Sequence, residues 1–326
     1  MSEPWTWHGG DLSAAKRRFG SGDDPWIDLS TGINPNSWPD TERVDIDWRR
    51  LPERGAIAGL EAVAASCFGV AARHVCAVPG TEIGLRLAGA LIGGEARYAA
   101  PGYRTHGEMI PDAMATGADA IGRHGGSIIL ANPNNPDGRT VTPATLRDLL
   151  ASRGGTGWLL VDEAFADVDP ALSLAPAVGD DARLILFRSF GKFFGLAGVR
   201  LGFVLGPEPF LRDLRALLGA WSVSAAAVAI GAAAYADADW IAATRRRLPK
   251  QAAALDELLR EAGYMPVGAC PLFRLVETAD ARALFERLAR RAILTRPFAE
   301  QPQWLRFGLP GDDAALLRLK AALADG

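Results

Sequence analysis

Short, mostly apolar runs alternate with helix-like segments between about residues 55 and 205. Three of these runs have the length and composition of buried strands. They are Ser127–Ala131, Gly157–Val161 and Arg183–Phe187. Between the first two, Thr142 as N-cap and Pro143 as first helical residue predict a helix that continues to about Ser152. Strands that alternate with helices indicate an α/β fold with a mostly parallel central sheet and helices on both of its faces.

The two ends of the chain have different patterns. Residues 1 to about 40 are rich in Gly, Pro, Trp and Asp, a composition typical of an irregular arm. After about residue 207 the pattern is largely helical, with shorter strand-like runs at Pro271–Val276 and Trp304–Gly308. We therefore expect an N-terminal arm over 1–40, a large α/β domain over 41–210 and a smaller α+β domain over 211–326.

Composition and charge narrow the functional classes. The chain has 326 residues, with Lys+Arg 35 against Asp+Glu 38 and a formal net charge of −3. Nucleic-acid-binding domains usually carry a basic excess, so we expect no nucleic-acid partner. The three cysteines form no C-x-x-C motif and the four histidines form no H-x-x-x-H pair, which predicts a reducing compartment and no metal site. The N-terminal residues contain neither a basic nor an apolar stretch, so we expect no signal peptide and a cytoplasmic protein.

One uncharged stretch has the length of a membrane span. Ala216–Ala236 contains 21 residues without a charge, but ten of them are alanine. Alanine contributes little to membrane insertion compared with Leu, Ile, Val or Phe. We therefore interpret the stretch as a loop that contains Ser222 and Ser224, followed by a close-packed interior helix, and we expect no membrane association.

Polar residues follow each of the three predicted strands. They are Asn132–Gly138, Asp162–Phe165 and Ser189–Lys192. Each run alone has an ordinary explanation, as a turn, a helix cap or a solvated charge. The carboxyl ends of parallel strands meet at one edge of an open α/β sheet, however, and ligands bind there. We therefore treat the three runs as one candidate site.

Lys192 is the most informative residue of this candidate site. The chain uses only four lysines, Lys16, Lys192, Lys250 and Lys320, and Lys192 lies in an otherwise uncharged segment rich in Gly and Phe. A desolvated lysine amine is a nucleophile toward carbonyl groups. A Lys that forms an imine, an Asp that faces a heteroaromatic nitrogen, and a Ser and an Arg near a phosphate are what pyridoxal phosphate (PLP) requires. Lys192 is not the lysine of a P-loop, because Leu186 occupies the place of the first glycine of that motif.

These motifs, in this order and spacing, resemble fold-type I PLP enzymes of the aminotransferase class I/II family. Asp162 follows Asn135 by 27 residues, Lys192 follows Asp162 by 30, and Arg200 follows Lys192 by 8. The resemblance implies PLP as cofactor, a PLP-binding large domain with a mostly parallel sheet, and a smaller C-terminal α+β domain. It also implies a homodimer with active sites at the subunit interface, to which the N-terminal arm contributes.

The resemblance assigns the cofactor-binding residues one by one. They are Gly80, Thr81, Glu82, Tyr103, Asn135, Asp162, Ser189, Lys192 and Arg200. The catalytic pair is Lys192, which forms the imine and later moves protons at the substrate Cα, and Asp162, which keeps the pyridine nitrogen protonated. Asn135 hydrogen-bonds the 3-oxygen and Tyr103 stacks on the ring.

The same resemblance implies a phosphate site and a carboxylate site. The P-G-T-E run, with Gly80 and Thr81, donates to the cofactor phosphate at a helix N-terminus, and Ser189 and Arg200 complete that site. Arg306, in W-L-R-F-G, matches the family arginine that binds the substrate α-carboxylate through two parallel hydrogen bonds. The alternative for Arg306 is an arginine on a surface strand.

The reaction itself depends on residues outside the shared cofactor site. The H-G-G-D-L run (His8–Leu12), the S-T-G-I-N-P run (Ser30–Pro35) and Phe165 in D-E-A-F resemble the decarboxylase branch of the family. This branch implies loss of CO2 from O-phospho-L-threonine to give (R)-1-amino-2-propanol O-2-phosphate in cobalamin biosynthesis. The alternative is an aminotransferase that resembles histidinol-phosphate aminotransferase, with Phe165 in place of a tyrosine as tolerated drift.

The substrate is then a small phosphorylated amino acid with two anionic ends. His8, Asn34 and Arg139 are the candidates for its phosphate, although His8 also fits an exposed histidine on a loose terminus. A third possibility is a PLP-binding regulator without activity. The joint presence of Lys192, Asp162 and Arg200 disfavours that possibility.

Overall fold

The computed structural model describes residue 5 and residues 8–20 and 24–324. The described chain forms two compact units. The larger contains Ser37–Asn135 and Arg139–Arg245, and the smaller contains Met1–Asn36, Pro136–Gly138 and Arg246–Gly326. Residues 1–4, 6–7 and 21–23 of the expected N-terminal arm lie outside the described ranges.

A seven-stranded sheet is the centre of the larger unit. Its strands are β2 (Val75–Val78), β3 (Ala96–Ala100), β4 (Met114–Gly117), β5 (Ser127–Ala131), β6 (Leu159–Asp162), β7 (Leu184–Ser189) and β8 (Gly202–Leu205). The spatial order is β2-β8-β7-β6-β5-β3-β4, and β8 runs antiparallel to both of its neighbours, β2 and β7, whereas the remaining pairs are parallel. The mostly parallel sheet predicted from the sequence is thereby confirmed. β5 has the predicted bounds. β6 and β7 both begin later than predicted, and β6 ends one residue and β7 two residues beyond the predicted end.

Helices cover the sheet of the larger unit. They are α2 (Arg54–Phe68), α3 (Thr81–Ile92), α4 (Arg104–Glu108), α5 (Pro143–Ala151), α6 (Phe190–Phe193), α7 (Glu208–Leu218) and α8 (Ala225–Ala236), with α9 (Ala238–Glu261) continuing into the residues of the smaller unit. Short 3₁₀ turns lie at Pro39–Arg43, Ala72–His74, Ala118–Arg123, Pro170–Leu172, Ala175–Ala177 and Ala197–Val199. The predicted N-cap is confirmed, because the Thr142 hydroxyl accepts a hydrogen bond from the Thr145 amide at 3.2 Å.

The core beneath α3 explains why this helix is held firmly against the sheet. Leu85 and Ala88 of α3 are buried with Phe187 of β7 and Val204 of β8. Gly89 lies so close to the next segment that a Cβ there would stand 2.0 Å from the Met109 carbonyl oxygen. The start of α3, which matters for the site described below, is therefore fixed by packing along the whole helix.

The smaller unit contains two sheets and three helices of its own within the described residues. The helices are α1 (Leu12–Phe19), α10 (Ala281–Arg290) and α11 (Asp313–Ala324), and the strands are β1 (Ile27–Asp28), β9 (Pro266–Val267), β10 (Phe273–Glu277), β11 (Ile293–Leu294), β12 (Arg296–Pro297) and β13 (Trp304–Gly308). β1 pairs with β11 in parallel, and the antiparallel sheet has the order β12-β13-β10-β9. β13 has the bounds that the sequence predicted.

The two units divide the chain differently from the expected domains. The expected boundary at 210 would separate α8 from α2, but these helices pack against each other within the larger unit. The apolar Ala216–Ala236 stretch contains the last three residues of α7, a loop and α8, with Ser224 as the N-cap of α8. No single described helix is long and apolar enough to cross a membrane, while α8 and α9 pass that test only as a pair, bent by 76° at their junction.

Candidate active site

The turn between β2 and α3 brings a guanidinium group to the start of the helix. Gly80 has a φ of +89°, and a Cβ at this position would lie 2.6 Å from Nη2 of Arg200. Arg200 itself has a left-handed backbone, with a φ of +57°, and its Nη1 donates to the Ala197 carbonyl at 3.2 Å. Glycine at position 80 therefore provides both the backbone conformation of the turn and the space for the Arg200 side chain.

The end of β7 brings Ser189 to the same place, beside Gly202 of β8. Ser189 pairs in register with Gly202, and a Cβ at Gly202 would lie 2.8 Å from the Thr81 amide nitrogen. The amide groups of the first helical turn have no acceptor within their helix. Together with the positive end of the helix dipole and Arg200, they form an anion-binding cradle. Of the predicted cofactor residues, Gly80, Thr81, Ser189 and Arg200 thus lie together.

Asp162 stands at the carboxyl end of β6 and is fixed by two contacts. Its Oδ1 accepts from the Ala164 amide at 3.1 Å, and its Oδ2 lies 3.0 Å from Nε2 of His106. His106 is fully buried, and its Nδ1 has no hydrogen-bond partner among the described residues. Because a carboxylate can only accept, this geometry assigns the ring proton of a neutral His106 to Nε2.

Tyr103 immediately precedes α4 and is held by its neighbours. Its hydroxyl donates to Oε2 of Glu82 at 2.9 Å, and its ring meets the His106 ring edge-on with the centroids 5.7 Å apart. Burial, together with the negative charge of Glu82, raises the pKa of Tyr103 to about 12. The phenol is therefore a hydrogen-bond donor at neutral pH.

The loop that follows β5 is built by asparagine side chains. Asn132 donates to the Val141 and Leu172 carbonyls at 3.0 and 3.1 Å. Asn134 donates to the Pro101 carbonyl at 3.0 Å, and Nη2 of Arg139 donates to the same oxygen at 3.2 Å. The predicted residue Asn135 lies on this loop, half-buried.

Lys192 lies on α6, three residues after Ser189, and is half-buried. The aromatic residues beside it hold the short helix in place. Phe190 and Phe194 stack with their centroids 4.7 Å apart, and Phe193 meets Trp240 edge-on at 5.6 Å. At Gly191 a Cβ would lie 2.6 Å from the Ala197 Cα, so the backbone segments on the two sides of the Lys192 turn are in direct contact.

A buried ion cluster lies behind the ends of β6 and β7, and the sequence analysis missed it. Arg188 bonds Glu163 through Nη1 at 3.0 Å and Asp167 through Nη2. Ser173 donates to Glu163 at 2.6 Å. Burial raises the pKa of Glu163, although Arg188 opposes this shift. The available signal was Arg188 itself, a charged residue directly after the apolar run Leu184–Phe187 and next to Ser189.

Arg306 is buried within the smaller unit. Its Nη2 donates to the Ser30 carbonyl at 2.9 Å, and its guanidinium carbon lies 4.9 Å from the centroid of the Phe273 ring. Burial lowers the pKa of Arg306 to about 10, so the group remains protonated at neutral pH. The alternative of a surface arginine is excluded, because only 6% of Arg306 is exposed.

The H-G-G run packs onto the S-T-G-I-N-P run in the same unit. The Gly10 amide donates to the Ser30 hydroxyl at 2.7 Å, and the hydroxyl donates to Asp28 at 2.5 Å. A Cβ at Gly9 would lie 2.3 Å from the Ser30 carbonyl oxygen. His8 is exposed, whereas Asn34 is buried and accepts from the Asn36 amide at 3.0 Å.

The fold and these residues define a family. The model of the aminotransferase class I and II family matches residues 112–323. The chain is 41% identical over 334 residues to a threonine-phosphate decarboxylase of Sinorhizobium sp, an alignment that covers 99% of each protein. The chain therefore belongs to the aminotransferase class I and II family.

Two further comparisons complete this assignment. A threonine-phosphate decarboxylase of Pseudomonas aeruginosa is 41% identical over 329 residues, covering 97% of this chain and 96% of the relative. The crystal structure of histidinol-phosphate aminotransferase from Sinorhizobium meliloti in complex with pyridoxal-5'-phosphate superposes with a TM-score of 0.85. That structure covers 99% of this chain and 96% of its own at 20% identity, which shows the shared fold.

Replacement of Arg188 by methionine is predicted to destabilise the protein. Arg188→Met leaves the carboxylates of Glu163 and Asp167 buried without a counter-charge, at a cost of about 3–5 kcal/mol in the free energy of unfolding. Arg212→Met removes an exposed pair with Asp213 and should cost no more than about 1 kcal/mol. Urea denaturation of both variants measures the difference, and equal losses would contradict the role given to the buried cluster.

Proposed function

We propose that this chain is a PLP-dependent decarboxylase of O-phospho-L-threonine that forms (R)-1-amino-2-propanol O-2-phosphate and CO2 in cobalamin biosynthesis. The observation that carries the proposal is its 41% identity, over nearly the full length, to two threonine-phosphate decarboxylases. Phe165 in the D-E-A-F run agrees with this proposal. It is buried, three residues after the end of β6, and brings no hydroxyl to the site.

The residues of the larger unit fit PLP. The cradle of Gly80, Thr81, Ser189 and Arg200 suits a phosphate, because it joins helix amides to a guanidinium and any Cβ at Gly80 would fill it. Lys192 is the amine that would hold the cofactor covalently. Held at this site, PLP would supply an electron sink for the bond that breaks at the substrate Cα.

Asp162 is the residue proposed to keep the pyridine nitrogen protonated. It can do so only as a carboxylate, and its two oxygens accept hydrogen bonds from Nε2 of a neutral His106 and from the Ala164 amide. We therefore assign His106 as the group that orients Asp162. Asn135 is proposed to donate to the 3-oxygen and Tyr103 to cover the ring face.

Two sets of side chains are proposed to hold the substrate. Arg306 would bind the α-carboxylate, since it is charged, buried and held by the Ser30 carbonyl. His8, Asn34 and Arg139 are the candidates for the substrate phosphate. Lys192 or a water molecule is then proposed to deliver a proton to Cα after CO2 has left, and Lys192 would act as a general acid there.

An aminotransferase is the second candidate. A histidinol-phosphate aminotransferase shares the fold with a TM-score of 0.85, and the same cofactor residues serve both reactions. The two reactions differ in the bond that breaks at Cα. A decarboxylase breaks the bond to the carboxylate, and an aminotransferase breaks the C–H bond.

The direct test uses cofactor-loaded protein and O-phospho-L-threonine without any keto acid. We expect sustained CO2 release while the visible spectrum of the bound cofactor returns to its starting form after each turnover. A single conversion of the cofactor to its amine form, without CO2, would establish the aminotransferase instead. Lys192→Ala is the control, and it should abolish CO2 release while the far-UV circular dichroism stays unchanged.

The anion cradle gives a second prediction. Gly80→Ala should weaken PLP binding at least about ten-fold, because its methyl group displaces the Arg200 guanidinium. Gly93→Ala is a matched control, since Gly93 ends the same helix with a φ of +54° and has no atoms within 4 Å of a Cβ. It should lower stability by about 1 kcal/mol without changing affinity. Fluorescence titration measures the PLP affinity of both variants. Equal affinities of the two variants would exclude the cradle as the phosphate site.

We also propose a homodimer in the cytoplasm. The described cysteines are free thiols, which agrees with a reducing compartment. An apolar groove of about 560 Å³ lies between α2 and α8, with the exposed side chain of Leu51 at its edge. Exposed apolar surfaces of this kind commonly bind partners, and a second copy of the chain is the occupant that the family resemblance favours.

Light scattering tests this arrangement. The wild-type protein should have the mass of a dimer, and Ala229→Arg in the groove should shift it to monomer because a charge would be buried at the contact. Ala243→Arg, on the exposed face of α9, should leave the dimer intact. A wild-type monomer, or dimers of both variants, would overturn the proposed surface.

A further inference from the structure

Glu82 presents a problem for the proposed phosphate site. It lies in the first turn of α3, next to Thr81, where a carboxylate would repel a phosphate bound at the same helix end. Its side chain is only partly exposed, at 32%, so solvent does not screen it fully. The contacts of the carboxylate explain how the two negative charges can be compatible.

Three donors occupy the Glu82 carboxylate. The Thr105 hydroxyl lies 2.8 and 3.0 Å from its two oxygens, the Tyr103 hydroxyl donates at 2.9 Å, and Nε of Arg86 donates at 2.8 Å. Burial alone would raise the pKa of Glu82, but these hydrogen bonds lower it overall. Glu82 is therefore a carboxylate whose lone pairs are directed to Thr105 of α4, to Tyr103 before α4 and to Arg86 of its own helix.

Residues other than Glu82 restrain the backbone before Tyr103 and the tilt of its ring. The Pro101 carbonyl, two residues before it, accepts from Asn134 and Arg139. The edge-on contact with the His106 ring limits the tilt of the Tyr103 ring. The contact with Glu82 adds the restraint at the far end of the ring, where the other two do not reach.

We infer that Glu82 is a positioning residue, which fixes the ring plane of Tyr103 against the bound cofactor and does not use its side chain to bind the phosphate. This inference rests on the proposed function, since it requires that Tyr103 covers the PLP ring. It also explains the choice of tyrosine at this position, because phenylalanine has the same ring but lacks the hydroxyl through which Glu82 fixes the ring plane.

A positioning role has a signature that a structural role lacks. If Glu82 acts on the cofactor only through the Tyr103 hydroxyl, then Glu82→Ala and Tyr103→Phe remove the same contact. The two substitutions should therefore change PLP binding by the same factor, and the double variant should show no larger change than either single variant. A carboxylate that contacted the cofactor by itself would instead change binding equally in either background.

The experiment is a double-mutant cycle on PLP-loaded protein. Glu82→Ala and Tyr103→Phe should each raise the dissociation constant for PLP about five-fold and reduce the visible circular dichroism of the bound cofactor, and the double variant should equal either single one. Glu108→Ala is the matched control. It removes the other carboxylate bound by Arg86, at 2.8 Å, and should leave both readouts unchanged.

The opposite outcomes are equally defined. Multiplication of the two losses to about 25-fold in the double variant, or an unchanged circular dichroism in Glu82→Ala, would overturn the inference. If Glu82→Ala does not fold, Glu82→Gln replaces it, with the same requirement that its effect disappears in the Tyr103→Phe background. A wild-type protein that binds no PLP would instead contradict the proposed function itself.

Discussion

The candidate site depends most on one interaction, the buried ion pair between the guanidinium of Arg188 and the carboxylate of Glu163. Arg188 lies on β7 directly before Ser189 and binds Glu163, which directly follows Asp162 at the end of β6. One ion pair thereby joins the end of β6, which carries Asp162, to the end of β7, which leads into α6 and Lys192. Because desolvated charges are stable only in close geometry with their partners, this pair tolerates little displacement of either strand end. The packing of Phe190 and Phe194 next to it extends the same restraint to Lys192.

The larger unit separates residues that would contact the cofactor from residues that orient them. His106 holds Asp162, Glu82 holds Tyr103, and Asn134 holds the turn before Tyr103. These orienting contacts are short hydrogen bonds between groups that are wholly or largely buried. A site that must aim a carboxylate and an aromatic ring at one flat molecule requires such support, since a small displacement of either group weakens its action.

Local patterns predicted much of the fold and of the site, for physical reasons. β5 is apolar on both faces because the sheet is covered on both sides, so its bounds could be read directly. The residues proposed to bind the cofactor at the strand ends could be named from their types, order and spacing. The contacts of His106, Arg188 and Glu82 were not, because each joins segments between 21 and 56 residues apart and depends on how the chain crosses the sheet. The same limit applies to the packing of α2 on α8, which places α8 in the larger unit.

The attachment of the cofactor to Lys192 is the central claim, and chemical trapping tests it most directly. Cofactor-loaded protein would be reduced with borohydride, digested and examined by peptide mass spectrometry. Because the chain has only four lysines, the assignment is unambiguous. The account predicts the reduced cofactor on Lys192 alone. Its presence on Lys16, Lys250 or Lys320, or its absence from all four, would contradict the account.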